Sequence, residues 1–310
     1  SISIGYNSNF GTSAIGQRSI AIGTGSEVWT ANGISIGSNS LVIQTSTGTP
    51  NGIAIGANAI ASGDFSLAIG GNAIAETVTQ NGATIAIGEL ARARTQMSIA
   101  IGASAGNTTG TDGGVAISLG RLANQGTTNI GNSSIAIGNS AKTQTSDSIS
   151  IGTLATSDNT GNGTIAIGAN TSAAGGGISI GRNTTSNGGS ALAIGNTARA
   201  NNSGISIGQG AGVTSGTINQ EGISLGINAN SGSTNIGVRS IAIGHTNKSE
   251  GSYSVAIGGQ TLRTTGTGAM MMGYSNTEAV NAVDNSFGLV WQDALPEFHI
   301  VKSALSTNNN

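Results

Sequence analysis

A four-position word, aliphatic, small, aliphatic, Gly, returns from one end of the chain almost to the other, and Ser134-Ile135-Ala136-Ile137-Gly138 is a clear copy. The steps between its glycines cluster at 14 residues (Gly23 to Gly37, Gly56 to Gly70, Gly138 to Gly152) and 18 residues (Gly102 to Gly120, Gly208 to Gly226, Gly226 to Gly244). Self-similarity at a short fixed period is the signature of a chain that grows by stacking coils, so ordinary domain-size reasoning does not bound its 310 residues.

Side chains alternate across a strand, so the first and third positions of the word share one face and the second takes the other. The outer two positions are Ile in nearly every copy, with Leu67, Leu192, Val255 and Met270 among the exceptions. β-branched columns suit a pleated surface stacked on itself, and this reading places them in the core of each chain. The closing Gly marks a sharp turn that needs positive φ or has no room for a Cβ. The middle position is Ala or Ser until the last copy, where it is Met271. A solvent-facing column would drift toward Thr, Lys or Glu, so uniformly small residues mean that something approaches the backbone closely. The expectation is another copy of the chain, with Ala21, Ala54, Ala68, Ala100, Ala136, Ala166, Ala193 and Ala242 in the interface.

A second, weaker strand follows each Gly, marked by Ala three residues on (Ala59, Ala73, Ala91, Ala105). The longer coils add Thr-, Asn- and Gly-rich residues after it, as at Thr77 to Gly82 and Thr214 to Gly222, at one phase of the repeat and so on one face, a natural place for recognition. Three long coils carry an extra Ile-Gly, at Ile15-Gly16, Ile130-Gly131 and Ile236-Gly237, read as a second anchoring Ile.

Composition removes other classes. Aromatics are 3% and charged residues 8%, too few large side chains for a bulky core and too few charges for a disordered polyelectrolyte. A net charge of -2 offers no basic face for nucleic acid, and the absence of Cys excludes a disulfide framework and thiolate metal sites. No apolar run reaches the roughly 20 residues of a membrane helix, so this segment is expected not to insert in a membrane directly. Because Ser1 to Gly5 begin inside a repeat, the chain reads as part of something longer or as a processed product.

Ser98-Ile99-Ala100-Ile101-Gly102-Ala103-Ser104-Ala105 and Ser134-Ile135-Ala136-Ile137-Gly138-Asn139-Ser140-Ala141 resemble the YadA-like head repeats of trimeric autotransporter adhesins, whose signature is close to Asn-Ser-[Ile/Val]-Ala-Ile-Gly-x-x-[Ala/Ser]-x-Ala. Similar heads occur in phage tail fibres and other surface fibres. The resemblance covers residues 1–273 and implies an all-β, left-handed parallel β-roll solenoid of 14- and 18-residue coils, assembled as an intertwined or side-by-side homotrimer. It also implies a non-enzymatic adhesive role on the bacterial cell's outer surface, with a host or bacterial surface protein or glycan as partner. The alternative home is a virion, as the receptor-binding fibre of a bacteriophage or related injection system. With roughly 4.8 Å between strands, the roll is expected to run about 80 Å.

From Tyr274 the word fails, and residues 274–310 read as a C-terminal cap or neck segment. Gly288-Leu289-Val290-Trp291 and Phe298-His299-Ile300-Val301 look like two short strands, and Phe287, Trp291 and Phe298 are expected to cover the open end of the solenoid. Catalytic, cofactor and metal sites are not expected: His245 follows a repeat Gly and His299 sits in the cap segment, neither with a nucleophile or carboxylate partner by spacing. Gly208-Gln209-Gly210-Ala211-Gly212 resembles a phosphate loop but lacks a following helix. Six-residue periodicity, which would mark an acyltransferase β-helix, fits 18 but not 14. Arg92, Lys142, Arg199 and Lys248 share a phase four residues after the Gly, where a solvated edge that discourages strand pairing is favoured over an anion-binding stripe.

Overall fold

The computed structural model describes the chain except residues 11–15, 44–50, 78–81, 108–113, 128, 159, 214–220, 234 and 292–310. Among the described residues it is all β, without helix, and its parallel strands stack as a solenoid. Each copy of the word forms one short strand, such as Ile53–Ile55, Leu67–Ile69 and Ile135–Ile137, and each pairs in parallel with the next copy. The register is identical throughout: Ile135 lies against Ile149, Ala136 against Ser150, and Ile137 against Ile151. The result is a 19-stranded sheet, whose eighteen inter-strand steps amount to roughly 86 Å.

The glycines of the word make this register possible. From Gly5 to Gly273 their φ values run from 121° to 149°, a region that L side chains rarely enter. A Cβ on Gly138 would also lie 2.5 Å from the carbonyl oxygen of Gly152, one coil on. Two residues after the Gly the turn enters the left-handed region, with Asn at several copies; Asn58 and Asn72 both have φ 54°, and the Asn58 amide donates to Asn72 Oδ1 at 3.2 Å. Asn tolerates this conformation better than most residues, and its stacked amides tie successive turns.

The face assignment from sequence is reversed. Ala21, Ala54, Ala68, Ala136, Ala166, Ala193 and Ala242 are fully buried inside their own chain, as is Ala100 at 2% exposure, whereas the flanking Ile columns point outward and are half-buried or exposed. The reason is volume. A 14-residue coil holds two short strands and two tight turns, so its two sheets lie too close together for a full inward column of Ile; branched side chains enter singly, as at Val28 and Val42, where Gly33 and Gly52 make room. The inward positions opposite the word are equally small: Ala59, Ala61, Ala73, Ala75, Ala91 and Ala93. Something does approach the small column closely, as its composition requires, but it is the second sheet of the same chain.

That second sheet is discontinuous. It forms one block of five strands from Glu27–Val28 to Arg92–Ala93, a second of five from Lys142–Thr143 to Arg199–Asn201, and a third of three from Lys248–Ser249 to Ala279–Asn281. The breaks fall on pairs of consecutive 18-residue coils, which place Gly106 and Asn124, then Gly212 and Asn230, four residues after the word Gly. Asn124 is fully buried; its amide donates to Ser118 Oγ at 2.8 Å, and its Oδ1 accepts from the Thr143 backbone N–H at 2.7 Å. Asn230 repeats the arrangement with Ser224 at 2.8 Å and the Ser249 N–H at 2.6 Å. Each Asn therefore satisfies the first amide that faces back toward the preceding coil where the sheet restarts, a group that would otherwise be a buried unpaired donor. Two of the three extra Ile-Gly pairs find their explanation here: Ile130 and Ile236 turn inward, 5% and 2% exposed, filling the roll where the second strand is missing, while Ile15 lies outside the described residues.

Parallel pairing continues past Gly273. Phe287–Trp291 forms a strand in parallel register with Met270–Tyr274, and Ala279–Asn281 extends the second sheet against Leu262–Thr264. The change at Tyr274 is a change of sequence word within a continuing ladder.

Candidate assembly and binding faces

Two outward faces run along the roll. The first is built from the first and third positions of the word, aligned coil on coil as Ile99 with Ile117 and Ile135, and Ile101 with Leu119 and Ile137. Ile55, Ile101, Ile151 and Ile207 are 36–39% exposed. Two continuous aliphatic columns over the length of the sheet exceed the scattered surface hydrophobics of a monomer. The C-terminal coil extends both columns, since Phe287 is in register with Met270 and Leu289 with Met272. The cap expected of Phe287 is therefore not formed within the chain: its ring lies 58% exposed on this face. The backbone of Trp291 pairs with Tyr274, while Phe298 lies outside the described residues.

The second face is the outer side of the second sheet, and it changes character from block to block. In the first block it carries Leu41, Ile60 and Ile74, with the exposed indole of Trp29 held by an Nε1–H donation to Glu27 Oε2 at 2.8 Å. In the second it carries Lys142, Thr156, Ser172, Thr185 and Arg199 in one register column. In the third, Arg263 donates through Nε and a terminal nitrogen to Glu250 Oε2 at 2.9 and 2.7 Å, and reaches Glu278 at 3.6 Å. The hydrogen bond to Glu250 raises the guanidinium pKa above its ordinary value. A groove of about 370 Å³ beside it is lined by Asn228, Ser231, Thr246, Lys248, Thr261, Leu262 and Glu278. The four cations that share a phase in the sequence thus sit on this face at block boundaries: Arg92 and Arg199 end their blocks, and Lys142 and Lys248 begin theirs.

His245 is exposed in a turn, and His299 lies outside the described residues. Among the described residues no three His, Cys, Asp or Glu side chains gather where they could hold a metal ion, and no helix is long and apolar enough to cross a membrane.

A family model described as the YadA head domain repeat (2 copies) matches residues 14–40, 50–73, 130–155 and 236–261. The chain carries YadA head domain repeats. Each matched stretch holds two word glycines 14 residues apart, such as Gly138 with Gly152 and Gly244 with Gly258. Two of the YadA head matches begin on Ile130-Gly131 and Ile236-Gly237, which places the inward Ile of the long coils inside the family pattern. YadA head repeats point to a surface fibre of the trimeric autotransporter adhesin type. No curated protein matches the chain.

Proposed function

We propose that the chain is the adhesive head of a homotrimeric surface fibre, non-enzymatic, displayed at the outer surface of a bacterial cell and attaching it to a host or another cell surface. The observation that carries this reading is the uninterrupted pair of outward aliphatic columns on a chain with YadA head repeats. Apolar surface of this extent is stabilised by removal from water, at about 25 cal/mol per Å², and a face that is the same on every copy is satisfied by closed symmetry. The likeness to the heads of trimeric adhesins supports three copies. The interface is then the Ile face of the word, with the Ala and Ser column inside each roll, and the second sheet turns outward with its block-to-block variation free for recognition.

Sedimentation equilibrium of the purified chain tests the assembly, with a three-chain mass expected and a stable monomer overturning it. Attachment is tested by displaying the chain on a non-adherent bacterium and counting cells bound to host-cell monolayers. Binding no greater than that of the bare bacterium removes the adhesive reading.

A further inference from the structure

The middle block of the second sheet carries a line of polar groups with nothing to bind inside the molecule. Lys142, Thr156, Ser172, Thr185 and Arg199 stand in one register column across five strands. Their neighbours Thr143, Ser157, Ala173, Ser186 and Ala200 are buried at 0–1% exposure, so by strand alternation the five point outward. Among the described residues none of their side chains has a hydrogen-bond or ion-pair partner. The corresponding column in the first block runs from Glu27 through the apolar Leu41, Ile60 and Ile74 to Arg92, so it has an acid at one end and no hydroxyls between, and Arg263 in the third is already neutralised by Glu250. The middle block alone presents unengaged cations at both ends of a hydroxyl ladder.

We propose that this face binds a linear acidic polysaccharide, with uronate or sulfate groups near Lys142 and Arg199 and sugar hydroxyls along Thr156, Ser172 and Thr185. This rests on the adhesive reading above and names the chemistry of its ligand. Four strand steps put the two cations about 19 Å apart, with a hydroxyl about every 4.8 Å between them. Arg182, exposed in the turn leading to Thr185, adds a third positive charge, while Asp158, exposed beside Thr156, is the acid of the same face. Widely spaced cations separated by neutral donors and acceptors suit a polymer whose charges alternate with hydroxyl-bearing rings. They do not suit nucleic acid, which places a phosphate about every 3.4 Å along each strand and would leave most of them unmatched. The face also offers no aromatic ring on which bases could stack.

The experiment uses the full chain and fluorescently labelled chondroitin sulfate dodecasaccharide, with neutral dextran of similar length and single-stranded DNA as comparators, and the mass of each protein sample recorded in parallel. Chondroitin sulfate is expected to bind and neutral dextran not to. Lys142→Ser with Arg199→Ser should weaken binding about tenfold or more, since charge-assisted contacts at both ends are lost. Thr156→Val with Thr185→Val, which leaves every charge in place, should weaken it about threefold, and Arg121→Ser, in an exposed turn outside the block, should leave it unchanged. Absence of binding by an assembled parent chain overturns the proposal, as does equal loss with Arg121→Ser, or DNA binding as tight as chondroitin sulfate. A monomer that binds chondroitin sulfate through Lys142 and Arg199 retains the site and overturns the trimer instead.

Discussion

At the scale of single residues, the fold turns on two properties of the word, its inward volume and its closing glycine. Ala136 is fully buried between two sheets of small residues, so Ala136→Leu forces extra methylenes into space that does not exist. A loss of roughly 1–3 kcal/mol is expected, read as a fall in the midpoint of thermal unfolding. Gly138 adds a backbone constraint: at φ 132°, with the Gly152 carbonyl beside its Cα hydrogen, Gly138→Ala should cost more than about 1 kcal/mol in the same assay. Asn72→Gly, in the left-handed turn at φ 54°, should stay within about 1 kcal/mol because the backbone preference is kept. An ion pair gives a pH signature of opposite weight. The hydrogen bond and charge of Arg239 hold the Glu221 carboxyl below its ordinary 4.5. A depressed carboxylate stabilises above its unfolded pKa and loses that contribution as pH falls through the folded value. Both groups are open to solvent, so Glu221→Gln should leave the unfolding midpoint almost unchanged at pH 7, and acidification from pH 5 to pH 3 should separate parent and variant hardly at all.

At the scale of elements, the second sheet is spliced rather than continuous, and the splice is a single side chain. Asn124→Ala would leave the Thr143 N–H and the Ser118 hydroxyl without their partner in a dry interior. A cost of about 1–3 kcal/mol is expected, with amide hydrogen exchange accelerated at Thr143 before the word strands are affected. Asn230→Ala should act the same way at Ser249, and the two losses should add, because several coils separate them. The elements themselves were legible in the sequence: word strands, Gly turns, coil spacing and the phase of the insertions all follow from the repeat. Which face goes inside was not, because alternation divides a strand into two sides without saying which is core. Ile at the outer positions argued for one answer by hydrophobicity, while the Ala59 and Ala61 type of position argued for the other by volume, and volume wins in a roll this thin. The breaks had a signal too, in Asn124 and Asn230 standing where other coils place Arg92 or Lys142, but its meaning depends on hydrogen bonds to residues nineteen positions away. The outward Phe287 escaped for a related reason: its segment lacks the word, and only the ladder with Met270 reveals that it occupies the first position of one.

At the scale of the whole molecule, a solenoid passes stability from coil to neighbouring coil, and its outward Ile columns make that stability depend on company. In each coil Ala and Ser fill the narrow interior, which holds the backbone ladder but buries little apolar area per residue, while the larger side chains wait outside it. If the columns close against one another in the trimer proposed above, folding and assembly are linked, and the unfolding midpoint should rise with protein concentration as mass action requires. Ile149→Lys with Ile151→Lys would place two ammonium groups per chain in that interface, where an unpaired buried charge is costly. On an isolated roll the same positions are outward, Ile151 at 37% exposure, and the change should be nearly neutral. The expected outcome is a variant that keeps a strand-rich far-UV spectrum, sediments as a single chain, and unfolds at a midpoint that no longer moves with concentration. Assembly of the variant at the parent's mass would show that the word face is not the contact. Loss of strand signal together with assembly would show that a single roll cannot hold itself together, and that the Ile face acts as the core the chain completes only with its copies.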